Sequence, residues 1–562
     1  MVYLHFALFI GISALISCRA QGLGPLANFC SRWNHQAVVK NGILYIDGGD
    51  ETFSNYSPIQ VDQVRENIYN ICVASNWQNV SEVAINKTAN PSTGTSAPIF
   101  ERGALFQGLP GDPNIYLYGG STPSINTSFP TWQWPYSNQY TLWGFNTNTH
   151  AWSQYDIFQS APERPSWGAH TEAPNLGLAF YFNGVINNYS SPSTNYLANN
   201  TLCLEGMVVL NLTMSNTTAT NFSTTAVANG SPMMGGQMVY VADYGEKGIL
   251  VLLGGATGTA SQPSREEVGT LAGMQEVYIF DVNTVYQSTT GLADGWYTQY
   301  VSGAIPEPRV DFCVFLASAV DGSSQNIYMY GGWDPTQTKY FDEIWVLSLP
   351  SFTWIQVYTG TAPRFAHTCH MPSPSRAITV GGLRYADPLR ECDWEYKSIA
   401  VYNLNSGEWS SEWDPAAPAY EVPEKISGIV GGNANGSATK LVPDKGWTSI
   451  QIAELFTGSS NQTAPAHVSS QSTRAGGGSG GGQGTNIRAG GMSKGTIAAV
   501  AVGVVVFFLL ALLGAVYLLR LRRTTVRGGN SENESVHENR MSSSASNPRD
   551  SRHNGWATDI MT

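Results

Sequence analysis

Short runs of apolar, aromatic and β-branched residues recur along most of this chain, each bounded by turn-forming residues. Runs of this kind are typical of strands rather than helices. In the clearest copy, the run at residues 327–330 ends in Gly331 and Gly332. A second run at residues 343–347 follows, and then Trp354. This unit predicts a small antiparallel sheet whose strands are joined by tight turns.

The same unit recurs at irregular intervals between residues 28 and 413. A sixth, degraded copy lies at residues 180–184, where a single Gly184 follows Asn183. Residues 429–432 look like the start of a seventh copy, but no second aromatic run follows them. We therefore predict six sheets, with seven as the alternative. The paired glycines of the other five copies are Gly48 and Gly49, Gly119 and Gly120, Gly254 and Gly255, Gly331 and Gly332, and Gly381 and Gly382.

The unit has a simple physical meaning. Paired glycines let the backbone leave a strand through a turn without side chains, while the Tyr and Trp rings pack between neighbouring sheets. One small sheet cannot bury both of its faces, whereas a closed ring of sheets can. The double glycine, the following aromatic residue and the trailing Trp resemble the kelch repeat over residues 28–413. This resemblance implies an all-β fold, a kelch-type β-propeller of six blades, and says little about function.

Two apolar segments predict how the chain is placed relative to a membrane. Residues 3–16 form an apolar run that ends before small residues, so we expect a signal peptide over residues 1–20; an uncleaved anchor is the alternative. Residues 497–519 contain no charge and would extend about 34 Å as a helix, enough to cross a bilayer. Basic residues follow at once, which places the C-terminus in the cytosol. These are Arg520, Arg522, Arg523 and Arg527.

The remaining segments follow from these two. The predicted ectodomain is a propeller at residues 28–415 with a C-terminal extension at 416–455. A Gly- and Ser-rich stalk covers residues 456–495 and is expected to be flexible. The transmembrane helix at 497–519 leads to a polar cytosolic tail at 520–562, which we expect to be disordered.

Charge excludes one class of function. The formal net charge is -12 and charged residues make up only 12% of the chain. A nucleic-acid surface needs clustered Lys and Arg to meet phosphates, so we expect no nucleic-acid partner.

The cysteines and the glycosylation sequons agree with an extracellular location. Removal of the signal peptide leaves an even set of cysteines, as a disulfide framework requires. Closeness in sequence suggests Cys30–Cys72 and Cys369–Cys392 pairs, although connectivity stays open. The cysteines are Cys30, Cys72, Cys203, Cys313, Cys369 and Cys392. The sequons are Asn55, Asn79, Asn86, Asn126, Asn188, Asn199, Asn211, Asn216, Asn221, Asn435 and Asn461.

No catalytic motif stands out, so we predict no enzyme activity and no cofactor. His367 and His370 flank Cys369, but a zinc or copper site would need a third convergent ligand, so we expect these histidines to be structural and predict no metal. Galactose oxidase and its relatives share the kelch propeller and bind copper. Their site takes a ligand from a further C-terminal domain, where this chain has its stalk and span, so the activity is not carried over.

Two sets of residues are candidates for ligand contacts at the mouth of the ring. An arginine precedes the first strand of several units, and five guanidinium groups around one mouth would favour an anionic or hydroxyl-rich ligand. The alternative is that each arginine bonds loop carbonyls and ties one blade to the next. The arginines are Arg32, Arg102, Arg164, Arg309 and Arg364.

The second set is aromatic. The loop at residues 129–136 carries Trp132, Trp134 and Tyr136, and Trp333 follows Gly332. Exposed rings of this kind can stack on the apolar faces of sugars. The alternative is that the loop packs its own rings against a neighbouring blade.

The sequence therefore predicts a recognition or adhesion module displayed outside the cell. We expect it to bind a protein or a cell-wall glycan and to reach the plasma membrane or cell surface by the secretory pathway. The kelch resemblance also suggests a fungal surface protein. A membrane-anchored enzyme acting on carbohydrate and a structural glycoprotein are the alternatives.

Overall fold

The computed structural model describes residues 29–458, except 54–59, 64–66, 73–84, 90–99, 122–140, 158–163, 198–199, 214–216, 259–268, 289, 293, 389 and 394. Six sheets of four or five strands dominate this part of the chain. In each sheet, the four main strands are antiparallel neighbours in the order in which they follow along the chain. We number these sheets 1 to 6 in chain order.

Sheets 1 to 3 contain four strands each. Sheet 1 contains Gln36–Lys40, Ile43–Asp47, Asn67–Cys72 and Ile85–Ala89. Sheet 2 contains Glu101–Phe106, Asn114–Ser121, Thr141–Asn146 and Ala151–Asp156. Sheet 3 contains Ala169–Ala173, Leu178–Phe182, Met207–Asn211 and Thr218–Phe222.

Sheets 4 to 6 repeat the same order. Sheet 4 contains Gln237–Val241, Ile249–Leu253, Glu276–Asp281 and Trp296–Tyr300. Sheet 5 contains Cys313–Ser318, Gln325–Tyr330, Glu343–Leu349, Thr353–Thr359 and the short parallel strand Ser302–Gly303. Sheet 6 contains Phe365–Ser373, Arg376–Leu383, Ile399–Asn403 and Glu408–Ser410.

Smaller elements lie between the sheets. The short strands are Phe29–Trp33, Asp50–Phe53, Gln60–Gln63, Val185–Ile186, Leu202–Cys203, Met233–Met234, Ala256–Thr257, Thr270–Leu271, Trp333–Asp334 and Lys339–Tyr340. The helices are Thr284–Gln287, Glu424–Val430 and Ile450–Thr457, with 3-10 turns at Pro192–Leu197, Ala228–Gly230 and Tyr396–Ser398.

The six sheets close into a ring. The first strand of each sheet contacts the first strand of the next sheet, and the first strand of sheet 6 contacts that of sheet 1. A separate hydrophobic cluster fills each of the six interfaces between neighbouring sheets. At the interface of sheets 4 and 5, Trp354 is 1% exposed and donates its indole N–H to Met274 O at 3.1 Å. This closed arrangement is a β-propeller, which hides both faces of every sheet.

The glycines that end the second strands of sheets 1 to 5 tie each of these sheets to the next one. Both glycines of every predicted pair have positive φ, as at Gly331 (70°) and Gly332 (89°). The backbone N–H of Gly332 donates to Arg364 O of the next sheet at 2.8 Å. In the degraded copy, Asn183 adopts φ 48° in place of the first glycine and Gly184 donates to Met233 O. The sequence pattern therefore marks interfaces between sheets.

The predicted disulfide pairs are wrong. Cys30 is bonded to Cys392, across the seam between the N-terminal strand and sheet 6. Cys313 is bonded to Cys369, which joins the first strands of sheets 5 and 6. Cys203 is buried and carries a free thiol. Closeness in sequence was misleading because the closed ring brings distant segments together.

The candidate seventh unit is not a strand. Ile429 and Val430 belong to the helix Glu424–Val430, and Gly431 ends that helix with φ 81°. Val430 is 1% exposed within the hydrophobic cluster shared by sheets 5 and 6. The segment after sheet 6 therefore packs onto the ring without adding a sheet.

Several predictions lie outside the described residues. These are the signal peptide, nearly all of the stalk, the transmembrane helix, the cytosolic tail, the Trp132, Trp134 and Tyr136 loop, and sequons Asn55, Asn79, Asn126, Asn199, Asn216 and Asn461. Across the described ranges, we find no helix with the length and apolar character that a membrane span requires. Among the other sequons, Asn435 is exposed, whereas Asn188, Asn211 and Asn221 are partly buried. The backbone at Asn86 and Cys72 lies in sheet 1.

Candidate functional site

Six equivalent backbone positions encircle one end of the propeller, where the first strands begin. We call this end the mouth face. All six residues have φ between 55° and 66°, in the left-handed region. The six positions, one from each sheet, are Asn34, Arg102, Trp167, Gly235, Asp311 and Ala366.

These positions are joined in a closed circle of hydrogen bonds. Each backbone N–H donates to the carbonyl of the equivalent residue in the preceding sheet, at 2.8 to 3.1 Å. The circle closes where Asn34 N–H donates to Ala366 O at 3.1 Å. The left-handed conformation turns each N–H and carbonyl along the circumference, so neighbouring sheets satisfy each other's polar groups.

Side chains from opposite sheets meet over this circle. Asp311 of sheet 5 accepts hydrogen bonds from the indole N–H groups of Trp167 and Trp333. The Arg102 guanidinium of sheet 2 approaches the Asp311 carboxylate to 3.8 Å and lies 4.2 Å from the Trp167 ring centroid. Arg102 also donates to Asn34 Oδ1 at 3.1 Å. Together these contacts cap the centre of the mouth face.

The other four predicted arginines do not line the mouth as a ligand-facing ring. Arg32, Arg164, Arg309 and Arg364 are all at most 3% exposed. Arg309 donates to Glu343 at 3.0 Å and to Gly331 O at 3.1 Å. Burying a guanidinium is costly unless its charge is paired, and the carboxylates that pair with Arg32, Arg309 and Arg364 come from segments that the sequence pattern does not connect to them. Among the five predicted arginines, Arg102 keeps a partly exposed side chain and the other four do not, so the expected ring of ligand-facing guanidinium groups is not formed.

A channel of about 490 Å³ runs inside the ring below the mouth face. His35 Nε2 and His370 Nε2 each lie 3.1 Å from Thr368 Oγ1. Burial lowers the pKa of His35 well below its usual value and that of His370 to about 4, so both rings are neutral near pH 7. His370 therefore has a hydrogen-bond partner within the protein, and its structural role stays a prediction.

The channel wall carries a group of potential metal ligands. Cys313 Sγ lies 3.1 Å from His367 Nε2, and the ligand atoms of Cys313, His367 and Cys369 lie within 4.8 Å of one another. Sequence spacing did not reveal the third residue because Cys313 lies in the neighbouring sheet. Cys313 and Cys369 are bonded to each other, so neither sulfur is a thiolate ligand in this structure.

An aromatic platform lies on the mouth face beside the capped centre. It consists of Trp333, Tyr340, Phe365 and Tyr385. Trp333 and Tyr340 are near-parallel, with an interplanar angle of 3° and ring centroids 5.8 Å apart. Phe365 lies 4.9 Å from Trp333, and Tyr385 meets Tyr340 edge-on at 5.6 Å. Phe365 is buried, whereas the other three rings are partly exposed, so the platform presents apolar surface to solvent.

Comparison with known proteins bears on this architecture. No family model matches the chain. A protein described as "Kelch repeat-containing protein", from Arthroderma benhamiae (strain ATCC MYA-4681 / CBS 112371), is 24% identical over 476 residues. This chain is similar to a kelch repeat protein. The match covers 74% of this chain and 65% of the relative, so the chain spans less than two thirds of the kelch relative's length.

A solved structure, "Structure of YjhT", covers 68% of this chain and 97% of its own, with a TM-score of 0.42 and 11% identity. That likeness is too distant to bear on function. The kelch-like, all-β part of the prediction is thus supported by the sequence relative and by the ring of sheets. The comparisons do not test the number of blades. The fungal source and the membrane span also stay predictions.

Proposed function

We propose that this chain is a recognition module, a six-bladed kelch-type propeller that binds a glycan through its mouth face. The aromatic platform carries the proposal, because near-parallel, partly exposed rings offer a flat apolar surface to a sugar ring. Exposed apolar surface on a rigid scaffold commonly marks a binding site. The platform also lies on short strands and turns that follow paired glycines, so its position is set by the ring.

The centre of the mouth favours binding over catalysis. Asp311 accepts hydrogen bonds from two indole N–H groups and lies near Arg102, so its carboxylate is already engaged within the protein. A general acid or base must reach a substrate atom, and a carboxylate held in this way is poorly placed to do so. We therefore propose a binding role, with no catalytic residue.

The cellular setting is part of the proposal and rests on the sequence. The apolar run at residues 3–16, the uncharged segment at 497–519 and the arginines after it support a propeller outside the cell and tethered by one span. Shifts in electrophoretic mobility after deglycosylation, and protease protection of the tail in sealed vesicles, test this arrangement. A tail digested from outside would contradict it.

Binding is tested with the full chain, solubilised in detergent and applied to glycan and protein arrays. Tyr340→Ala and Tyr385→Ala each remove a partly exposed ring of the platform. The matched control is Tyr286→Ala, which is 52% exposed and follows the third strand of sheet 4, at the end of the ring opposite the mouth face. We expect glycan signals that fall at least fivefold in both platform variants and persist in the control.

Three other outcomes would favour a different function. Binding to a protein alone would replace the glycan by a protein ligand. Stoichiometric copper or zinc in the purified chain, lost in His367→Ala, would favour a membrane-anchored enzyme. Silence on both arrays, or signals that the platform variants leave unchanged, would favour a structural glycoprotein.

A further inference from the structure

A second cavity opens on the mouth face, between sheets 5 and 6. Its volume is about 170 Å³. We call it the acidic pocket. At its rim, Thr361 is exposed to solvent, so the cavity is reached from outside. Its principal lining residues are Tyr330, Asp342, Tyr358, Arg364, Glu395 and Trp409.

We propose that the acidic pocket binds one hexosamine residue through its free, protonated amino group. The proposal rests on the proposed glycan-binding function and names the chemical class of the sugar. Three features support it: uncompensated carboxylates, an aromatic wall, and a size that fits one six-membered ring.

The first feature is the carboxyl group of Asp342. Asp342 is 7% exposed and accepts hydrogen bonds from Ala362 N–H at 2.7 Å and from Tyr330 Oη at 3.4 Å. Burial raises its pKa above the usual value, which means that the pocket does not fully compensate its charge. A bound cation would supply that compensation.

Glu395 is the second such carboxyl group. Burial raises its pKa to about 7, although the Arg364 guanidinium favours the charged form, while the nearby Asp393 opposes it. Arg364 is already engaged, because it donates to both carboxylate oxygens of Asp393 at 2.7 and 2.8 Å. Asp342, Asp393 and Glu395 therefore lie around the Arg364 guanidinium. The second guanidinium that acts on Asp342 is that of Arg384, which is itself paired with Glu391 at 2.8 Å, so the charge near the pocket is negative when all carboxyl groups are ionised.

The aromatic wall suits the same ligand. The Trp409 ring centroid lies 4.9 Å from that of Tyr330 and 6.2 Å from that of Tyr358. Aromatic faces attract ammonium groups through their quadrupole, most strongly when the site is desolvated. The same faces offer apolar contact to the C–H face of a sugar.

Size separates a sugar from a linear amine. A cavity of about 150 Å³ in another protein accepts benzene, so about 170 Å³ accommodates a single six-membered ring. A lysine side chain has fewer than half the heavy atoms of a hexosamine, so it would fill less of the cavity. Hydroxyl groups of the ring could reach Thr361 and the backbone at Gly360, which line the opening. The acidic pocket therefore favours a hexosamine over a lysine.

The test is a titration of the full chain in detergent micelles with single sugars, followed by calorimetry or saturation-transfer NMR. We expect glucosamine to bind at least tenfold more tightly than N-acetylglucosamine or glucose, since neither of these carries a cation. Affinity for glucosamine should rise about tenfold from about pH 5.5 to about pH 7, as Glu395 ionises beside Arg364, Asp393, Asp342 and Tyr330. These two measurements need no variant.

The variants locate the site. Glu395→Gln and Asp342→Asn should each weaken glucosamine binding at least fivefold, and Glu395→Gln should flatten the pH dependence. The matched control is Glu408→Gln, which removes the same charge from an exposed position beside Trp409 and should bind like the parent. Equal binding of the three sugars, or binding that Glu395→Gln leaves unchanged, would overturn the proposal.

Two further results separate this proposal from the proposed function. Tighter, Glu395-dependent binding of Nα-acetyl-lysine amide than of glucosamine would overturn the hexosamine assignment and point to a protein ligand. Glycan binding on arrays that depends on Tyr340 and Tyr385 but needs no amino group would retain the glycan function while rejecting the acidic pocket as its hexosamine site.

Discussion

Closure of this propeller depends on backbone conformations at a few positions. Five of the six mouth positions hold non-glycine residues with φ between 55° and 60°, including Trp167 and Arg102. The left-handed region costs such residues about 1–2 kcal/mol each. The circle of hydrogen bonds between sheets offsets that cost, since every N–H in it is satisfied by the preceding sheet.

Gly331 tests how closely neighbouring sheets approach. A Cβ at this position would lie 2.2 Å from Arg364 O, a backbone atom of the next sheet, and φ is 70°. We expect Gly331→Ala to lower the free energy of unfolding by at least about 3 kcal/mol, through strain and a clash. Chemical denaturation measures the loss.

Gly322→Ala is the matched control for Gly331→Ala. Gly322 has φ 72°, but no atom lies within 4 Å of the position that an added methyl group would occupy, so only the backbone strain of about 1–2 kcal/mol applies. Equal losses in the two variants would show that the close approach between sheets is unimportant.

Asp47 links stability to pH. It is 4% exposed, accepts from Gln36 Nε2 at 3.1 Å and lies near the Arg32–Glu51 ion pair. Burial raises its pKa to about 7, so its contribution to stability is present below the unfolded pKa and is lost as pH rises through about 7. Asp47→Asn removes that loss. We expect the variant to gain on the order of 3 kcal/mol over the parent at about pH 8, and far less at about pH 4.

Thermal unfolding at both pH values measures the effect of Asp47→Asn. Glu412→Gln removes a carboxylate from an exposed site and serves as the control. A variant that is no more stable than the parent at the higher pH would mean that Asp47 is stabilised as an anion.

Strand runs and glycine pairs could be predicted from the sequence because their causes are local. A strand needs only a few β-branched and aromatic residues. The turn that follows the strand at Gly331 and Gly332 needs only residues without side chains. The same reasoning failed at residues 429–432, where Ile-Val-Gly-Gly ends a helix. Nothing within that short run specifies that Val430 will be buried against sheets 5 and 6.

Long-range partners could not be predicted, because a short run of sequence does not specify which distant segments it will contact. Arg102 and Arg309 look alike in the sequence pattern, yet only Arg102 keeps a partly exposed side chain. Arg102 itself holds a mouth position, whereas Arg309 lies two residues before the mouth position of its sheet, Asp311, and pairs with Glu343. Likewise, the residues of the acidic pocket come from both sheets 5 and 6, and their convergence appears only after the ring has closed.

The seam of the ring tests the role of the Cys30–Cys392 bond. The two residues are 362 positions apart, so the bond restricts a very long loop in the unfolded chain. We expect the double variant Cys30→Ser/Cys392→Ser to lose about 4 kcal/mol, with the first opening between Phe29–Trp33 and sheet 6. Hydrogen exchange measured in these two elements locates the opening.

Cys203→Ala is the control for the seam variant, since its thiol is unpaired and its loss should cost no more than a small cavity. Faster exchange spread evenly over all sheets of the double variant would contradict a specific role at the seam.

The ring and the segment that follows it form one folded body. Tyr420 Oη lies 2.9 Å from Tyr328 Oη, and Lys425 donates to Val357 O at 2.6 Å. Further along, Thr448 N–H donates to Gln299 Oε1 at 3.2 Å. Residues 416–458 are therefore packed against the propeller as part of the same folded body. A sugar-binding fragment that ended at residue 415 would lack part of its core.

The helix Ile450–Thr457 allows this to be tested without shortening the chain. Ile452 is fully buried in the cluster between sheets 4 and 5, whereas Ile450, two residues earlier, is 69% exposed. Removing a buried isoleucine loses both its transfer free energy and the packing around it, so Ile452→Ala should cost about 3 kcal/mol. Ile450→Ala should change stability by less than about 0.5 kcal/mol. If this segment is part of the propeller, Ile452→Ala must shift the unfolding of the whole ring as a single transition. A separate low-temperature transition, with the main one unmoved, would mean that the segment only rests on the propeller.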